Sequence, residues 1–339
     1  MLPRLLELPN LFYRVKIMQP RWQPTADLDI LRTRAAIIDN IRAFFKQRNV
    51  LEVETPLLSH ATVTDPHIHS FATFLAHPGG RQVSKLYLQT SPEFAMKRLL
   101  AAGIGSIYQI CKAFRNEESG RLHNPEFTML EWYRPLFDHH QLMDEMDEFL
   151  SCILQTSKAK RLSYRQLFLD YLNIDPHQAT VLELKQIGEM FGLAISAPIF
   201  DRDTWLQLLM SHLIEPKLTG EQPIFVYDFP KSQAALARIR DEEPPVAERF
   251  EVFVNGLEIA NGYHELIDAN EQRKRFRQDL QQRTKLQSEE VVQDERLLLA
   301  LANGFPNCAG VAVGVDRLIM LAVEKHYLAE VLAFPVEYA

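Results

Sequence analysis

Apolar residues Leu31, Ala35, Ile38, Ile41, Phe44 and Phe45 recur every three or four positions, which predicts a helix over about 28–49 with one buried face. A short β-rich run, 50–55, follows and stops at Pro56. Ser91-Pro92-Glu93 has the marks of a helix start, with Ser91 as N-cap, Pro92 in the first turn and an acid near the positive end. That helix is expected to run to about Gly103. Residues 107–116 and 125–133 read as strands around a charged loop, 117–124. Apolar spacing in 142–154, 164–172 and 205–213 makes 138–220 mostly helical. Residues 223–229 read as a strand, and 250–259 as a hairpin turning at Asn255-Gly256. A charged, exposed helix over 270–285, a small-residue strand over 310–315 and a helix over 316–325 complete the pattern. Strands joined by hairpins, with helices in blocks, predict an α+β fold on a mainly antiparallel sheet. No repeat, low-complexity linker or composition break divides the chain. One domain, 28–339, is expected behind an amino-terminal extension, 1–27.

Composition narrows the class. A chain of 339 residues that is 47% hydrophobic and 24% charged is a folded globular protein. Its net charge of −7 argues against a broad non-specific nucleic-acid binder, which needs a basic face. Cys111, Cys152 and Cys308 are scattered, without disulfide or metal-ligand spacing, as expected in a reducing cytoplasm. No apolar run approaches the roughly 20 residues that span a bilayer, and the first 17 residues lack a signal peptide's continuous apolar segment.

Three blocks carry chemistry. In the first, Phe114-Arg115-Asn116-Glu117 precedes His123-Asn124-Pro125-Glu126-Phe127-Thr128-Met129 and Glu131-Trp132-Tyr133. Paired as a hairpin, these strands bring an Arg, a His and an Asn together, a set suited to polyphosphate, with Phe127 offering a flat face to a purine. Composition alone is equally consistent with an exposed hairpin carrying ordinary surface charges. The second block is Glu251, Glu258 and Glu265, evenly spaced, the first two on opposite arms of the Asn255-Gly256 hairpin. Converging carboxylates beside phosphates suit Mg²⁺; each acid taken singly is better read as a solvated surface residue. The third is Gly310 through Gly314 to Asp316-Arg317, where glycine admits close backbone approach and Arg317 can reach a terminal phosphate. It lacks the GxGxxG pattern and a ribose-binding acid, which excludes a dinucleotide loop.

In this order the blocks resemble the class II aminoacyl-tRNA synthetase core, with Leu51-Glu-Val-Glu-Thr-Pro56-Leu similar to motif 1. The resemblance implies a six- or seven-stranded antiparallel sheet flanked by helices, and a homodimer. Within the class, Arg115 to Tyr133 and Glu258-Ile-Ala-Asn-Gly-Tyr-His-Glu265 look like lysyl-tRNA synthetase. Too few residues precede 28 for that enzyme's anticodon-reading OB domain. Ser91, Ala312 and the loop Glu118-Ser-Gly-Arg121 also depart from it. These departures match its truncated paralogues, the elongation factor P–(R)-β-lysine ligase family.

Membership implies ATP and Mg²⁺ as cofactors, elongation factor P and (R)-β-lysine as partners, and neither stable nucleic-acid binding nor a membrane. Arg115, Glu258 and Arg317 would then be catalytic. Arg115 would hold the substrate carboxylate and α-phosphate, and His123 and Arg317 the outer phosphates. Phe127 and Arg317 would sandwich the adenine, whose amine Glu117 would contact. Asn124, Ile259 and Gly314 would complete the nucleotide site, and Glu251 and Glu258 would hold Mg²⁺. Ser91, Pro92, Glu93, Glu131, Tyr133, Glu265 and Ala312 would line the amino-acid site, where Ser91 and Ala312 are expected to select β- over α-lysine. The alternatives are a stand-alone α-lysine-activating enzyme, a catalytically dead binding paralogue, and asparagine synthetase, which the acidic pocket disfavours.

Overall fold

The structure is a computed structural model and describes residues 22–76, 79, 83–193, 201–220 and 222–339; most of the expected extension, 1–21, lies outside them. Helix α1 (Leu28–Gln47) keeps the predicted stripe at Ile41, Phe44 and Phe45, but buries Ile37 where Ile38 was expected and leaves Ala35 exposed. The next β-rich run contributes only β1 (Leu51–Glu52). Strands β2 (Leu58–Ser59), β3 (Ala72–Ala76) and β4 (Val83–Leu88) form a small antiparallel sheet, ordered β2-β4-β3. Helix α2 (Glu93–Ala101) then leads to β5 (Ile107–Phe114) and β6 (Glu126–Pro135), which pair antiparallel as expected.

A helical stretch follows: α3 (His139–Leu154), strand β7 (Lys160–Ser163), α4 (Tyr164–Leu172), α5 (Val181–Met190) and α6 (Arg202–Leu209). The chain returns through β8 (Ile224–Pro230), β9 (Ile239–Arg240), β10 (Val246–Val254) and β11 (Leu257–His264). Asn255 and Gly256, at φ 51° and 74°, turn the β10–β11 hairpin as their sequence demands. Helices α7 (Ala269–Lys285) and α8 (Glu295–Ala302) precede β12 (Cys308–Gly314) and α9 (Val315–Ala322).

The main sheet runs β1-β5-β6-β12-β11-β10-β8-β7, with β9 paired to β10. Its nine strands among the described residues exceed the six or seven expected. The edge pairs β1–β5 and β7–β8 are parallel and the rest antiparallel. Side chains alternate between sheet faces. Leu130 and Trp132 of β6, with Ala309, Val311 and Val313 of β12, enter a core that also holds Phe45 of α1, Phe149 of α3 and Leu318 of α9. Glu131 and Tyr133, with Gly310, Ala312 and Gly314, therefore fall on the other face, where the site is built.

Two sequence expectations are corrected locally. Pro92, not Ser91, occupies the N-cap of α2, although the Ser91 hydroxyl still accepts the Glu93 N–H at 3.0 Å. The 205–213 helix ends at Leu209 and widens into a π turn, Met210–Ile214.

Candidate active site

A cavity of about 1170 Å³ opens on the polar face, lined by Ser91, Glu93, Arg115, His123, Asn124, Phe127, Glu131, Glu258, Ile259, Ala312, Gly314 and Arg317 among others. At one end Glu131 is buried; it accepts from Ser91 Oγ at 2.5 Å and from the Tyr133 hydroxyl at 3.0 Å. Burial, with the nearby Glu93 charge, pushes its carboxyl up to about 8 against the opposing pull of Ser91, Tyr133 and Lys97. Burial, and then Glu131, also raise the Tyr133 phenol, which stays protonated as a donor. Ala312 sits opposite Glu131 across the β12–β6 ladder, and Gly310 opposite Tyr133. A Cβ at Gly310 would collide with the Tyr133 ring and lie 2.7 Å from Glu265 Oε1, so these two side chains occupy the space glycine leaves. Tyr133 and Glu265 thus stand behind the cavity wall, and Pro92 serves the helix cap.

Sequence reasoning missed Lys97. Its Nζ lies 2.6 Å from Glu93 Oε1 and 2.6 Å from Glu265 Oε2. Burial pushes the Glu265 carboxyl up to about 8, against Lys97. Burial alone would lower the Lys97 ammonium, but Glu265 and Glu93 outweigh it and hold its pKa above the usual lysine value. The Glu93–Lys97 spacing is that of an ordinary exposed helix pair, which is why sequence gave no warning.

At the other end the Arg115 guanidinium stands 5.2 Å over the Phe127 ring, with its Nε buried and unpaired. Without a ligand, the cation over Phe127 is Arg115. Arg317 donates from Nη1 to the Glu258 carbonyl at 2.8 Å, and its Nη2 meets His123 Nε2 at 2.7 Å. Burial and Arg317 lower the His123 pKa, so the ring is neutral at pH 7 and accepts from the arginine. Glu117 does not reach the cavity. Its backbone turns at φ 66°, its carboxylate is exposed near His69, and Glu118 lines the cavity instead. Asn124 braces the loop: Nδ2 donates to the Glu126 carbonyl at 2.6 Å, and Oδ1 accepts from Val336 N at 3.0 Å.

Glu258 lines the main cavity, and Glu251 an adjoining one with Glu215 and Tyr164. Burial pushes Glu251 up to about 8, opposed by Arg249 and reinforced by Glu258 and Glu215. Burial and Glu258 push Glu215 up to about 7. Carboxylates that repel one another are a donor set a hard divalent cation would relieve. A second His/Glu group, His139, Glu248 and His264, is tied into ion pairs: His264 Nδ1 meets Glu248 at 2.6 Å, and Arg240 lies 3.6 Å from the same carboxylate.

The Phe127–Arg317 end of the cavity is anchored from beneath. Arg34 of α1 reaches Asp316 Oδ1 at 2.7 Å and Thr128 Oγ1 at 2.9 Å, while Thr128 N donates to Asp316 Oδ2 at 2.7 Å. Asp316 is 3% exposed, so this triangle ties α1, β6 and α9 together under Phe127 and Arg317.

The family model described as tRNA synthetases class II (D, K and N) matches residues 15–338. Proteins named elongation factor P–(R)-β-lysine ligase are similar over nearly the whole chain. That of Photobacterium profundum is 54% identical over 323 residues, covering 95% of this chain and all of its own. That of Vibrio vulnificus is 55% identical with the same coverage, and that of Edwardsiella ictaluri 52% identical over 319 residues, 94% of this chain and 98% of its own.

Proposed function

We propose, from the premise that the chain belongs to the class II tRNA synthetase family (D, K and N) and within it to the elongation factor P–(R)-β-lysine ligases, that it activates (R)-β-lysine with ATP and transfers it to a lysine of elongation factor P. The observation that carries this is the buried acidic end of the cavity, Glu93 and Glu131 on its wall with Tyr133 and Glu265 directly behind them, opposite the Arg115–Phe127 and Arg317–His123 pairs. An amino acid with a side-chain ammonium fits with its cation at the carboxylates and its own carboxylate toward Arg115. An aspartate-activating site would need a free cation at that end, whereas the ammonium there, Lys97, is already held by Glu93 and Glu265 and does not line the cavity.

Arg115 would hold the substrate carboxylate and the α-phosphate, its unpaired Nε directed to an anion. The carboxylate oxygen attacks the α-phosphorus, the bond to pyrophosphate breaks, and the acyl-adenylate forms. Neutral His123 steers Arg317 toward the outer phosphates. Phe127 and Arg317 would sandwich the adenine, and the loop of Glu117 and Glu118 would meet its amine edge. Glu251 and Glu258 would hold Mg²⁺, which when bound supplies charge neutralisation to the polyphosphate. The lysine ε-amine of the acceptor then attacks the acyl carbon, AMP leaves, and an amide remains. The catalysis is positioning and fixed electrostatics, with no protein nucleophile.

A homodimer is part of the same reading. Leu51, Leu57, Leu58, Phe74, Leu75 and Val83 are exposed around the motif 1 segment and the small sheet, an apolar surface of the kind a second copy covers. Sedimentation of the full chain tests it, with a monomer at micromolar concentration counting against it. Among the described residues, no helix is long and apolar enough to cross a membrane. A cytoplasmic setting, where elongation factor P works, completes the proposal.

The deciding experiment is ATP–pyrophosphate exchange with (R)-β-lysine, (S)-β-lysine and α-lysine in parallel, followed by transfer to elongation factor P and to tRNA. The expected outcome is preference for the (R)-β isomer and labelling of the protein acceptor. Preference for α-lysine with labelling of tRNA would overturn the reading.

A further inference from the structure

One cross-strand row forms the floor of the cavity. Glu131 on β6 faces Ala312 on β12, Ala312 faces Asn261 on β11, and Asn261 faces Glu251 on β10. Partners across a ladder share a sheet face, so the row runs from the acidic end to the candidate metal acids. Two strand spacings, about 10 Å, separate Glu131 from Asn261, a span that lysine laid across the strands can bridge. The reaction above leaves Asn261 and Arg249 without a task, although both line the cavity. Arg249, on β10, commits every direction of its guanidinium to the protein. Nε donates to Asn261 Oδ1 at 3.2 Å, Nη1 to the Gln233 carbonyl at 3.0 Å, and Nη2 to Glu251 Oε1. Its Cζ also stands 4.5 Å from the centre of the Phe229 ring.

We infer that Arg249 is a positioning residue that sets which end of the Asn261 amide faces the amino acid. The inference rests on reading the cavity as the amino-acid site. A guanidinium only donates, whereas an amide offers a carbonyl oxygen at one end and two N–H groups at the other. The reversed amide would set its own N–H groups against the Nε–H of Arg249, so the oxygen is locked on the arginine and Nδ2 is left to the cavity. A donor at that point suits the substrate's carboxylate, which Arg115 also draws, and disfavours an ammonium. Glu251, the Gln233 carbonyl and the Phe229 ring hold the guanidinium still, so it cannot turn to accommodate a reversed Asn261. A lysine in its place would keep the charge beside Glu251 and lose the fixed fork that reaches both partners. Arg249 thus acts on the substrate through Asn261.

The test is calorimetric titration of the full-length enzyme with (R)-β-lysine, without ATP or Mg²⁺, so that metal binding at Glu251 does not enter. Arg249→Met should weaken binding roughly ten-fold, as loss of one hydrogen bond to a charged group does. Asn261→Ala should weaken it to a similar degree, and the double variant no further, because a residue that acts through its neighbour is not additive with it. Additive losses, or wild-type affinity in Arg249→Met, overturn the inference and leave Arg249 a packing residue. Should Arg249→Met not fold, Arg249→Lys carries the same measurement in the same cycle with Asn261→Ala. Failure of both to fold makes Arg249 a structural residue and likewise overturns the inference. A wild type that binds no lysine isomer refutes the proposed function itself, and the inference falls with it. A wild type that binds, with variants that bind equally well, refutes the inference alone.

Discussion

Replacing Gly310 by alanine adds one methyl group at the point where β12 passes between Tyr133 and Glu265. The new Cβ would overlap the Tyr133 ring and come within 2.7 Å of Glu265 Oε1. Tyr133 is 3% exposed and packed among Met96, Leu100, Ile107 and Phe276, so its ring has no free direction in which to retreat. Overpacking of this kind costs about 1–3 kcal/mol of stability. The displaced ring also loses the 3.0 Å bond from its hydroxyl to Glu131, whose raised carboxyl is mostly neutral at pH 7, and a neutral hydrogen bond is worth about 0.5–1.5 kcal/mol. At ~1.4 kcal/mol per decade, KM for the amino acid should rise roughly two- to ten-fold.

Gly262 provides the control, because its Cβ would overlap the Phe250 ring in the helix-covered core. Gly262→Ala should lose comparable stability and leave KM unchanged. Urea unfolding gives the stability term and ATP–pyrophosphate exchange the binding term. The reasoning is refuted if Gly310→Ala keeps a wild-type KM, or if Gly262→Ala raises KM by the same factor.

Arg115→Ala should lower the exchange rate by about 10²–10³-fold, as loss of a preorganised transition-state donor does, while the melting temperature stays within a few degrees of wild type. Ala312→Gly restores the room of one methyl opposite Glu131 and should move the α- to β-lysine activation ratio by about 10- to 200-fold at most; an unchanged ratio removes Ala312 from the selection mechanism. Glu215 and Glu251 have carboxyls raised to about 7 and about 8 in the folded chain, so between about pH 4.5 and those values the folded state holds protons that the unfolded state has released. Stability of the unliganded protein should therefore fall as pH rises through that window, and Mg²⁺ with ATP should raise the melting temperature more at pH 8 than at pH 6. For the same reason Glu215→Gln should raise the unliganded melting temperature at pH 8, by about 1–3 °C, and do little at pH 5. Differential scanning calorimetry across the pH series decides both.

Local signals carried much of this molecule. The Asn255-Gly256 turn, the α1 stripe and the 164–172 helix follow from short-range patterns, and the structure keeps them. The small sheet β2-β4-β3 was illegible because β2 has only two residues and β3 is mostly exposed, so no alternation marks them. Strand β7 is held by parallel pairing to β8, a long-range contact that four residues cannot announce. Within the site, residue types were legible and partners were not. The Arg317 partners, the Glu258 carbonyl and His123, are brought to it only by the fold, as Phe127 is brought to Arg115. The exchange of Glu117 for Glu118 depends on one left-handed residue in the loop. Lys97 shows the same limit, since its second partner, Glu265, is brought to it only by the fold.

The triangle of Arg34, Thr128 and Asp316 bears on when the enzyme becomes competent during its synthesis. Arg34 leaves the ribosome before Thr128, and Thr128 before Asp316, yet the Phe127 end of the cavity rests on all three. A nascent chain holding α1 and the β5–β6 hairpin has Arg115 and the ring of Phe127, but not the Asp316 carboxylate that fixes Arg34 and the Thr128 N–H beside that ring. This end of the site is thus complete only once α9 docks.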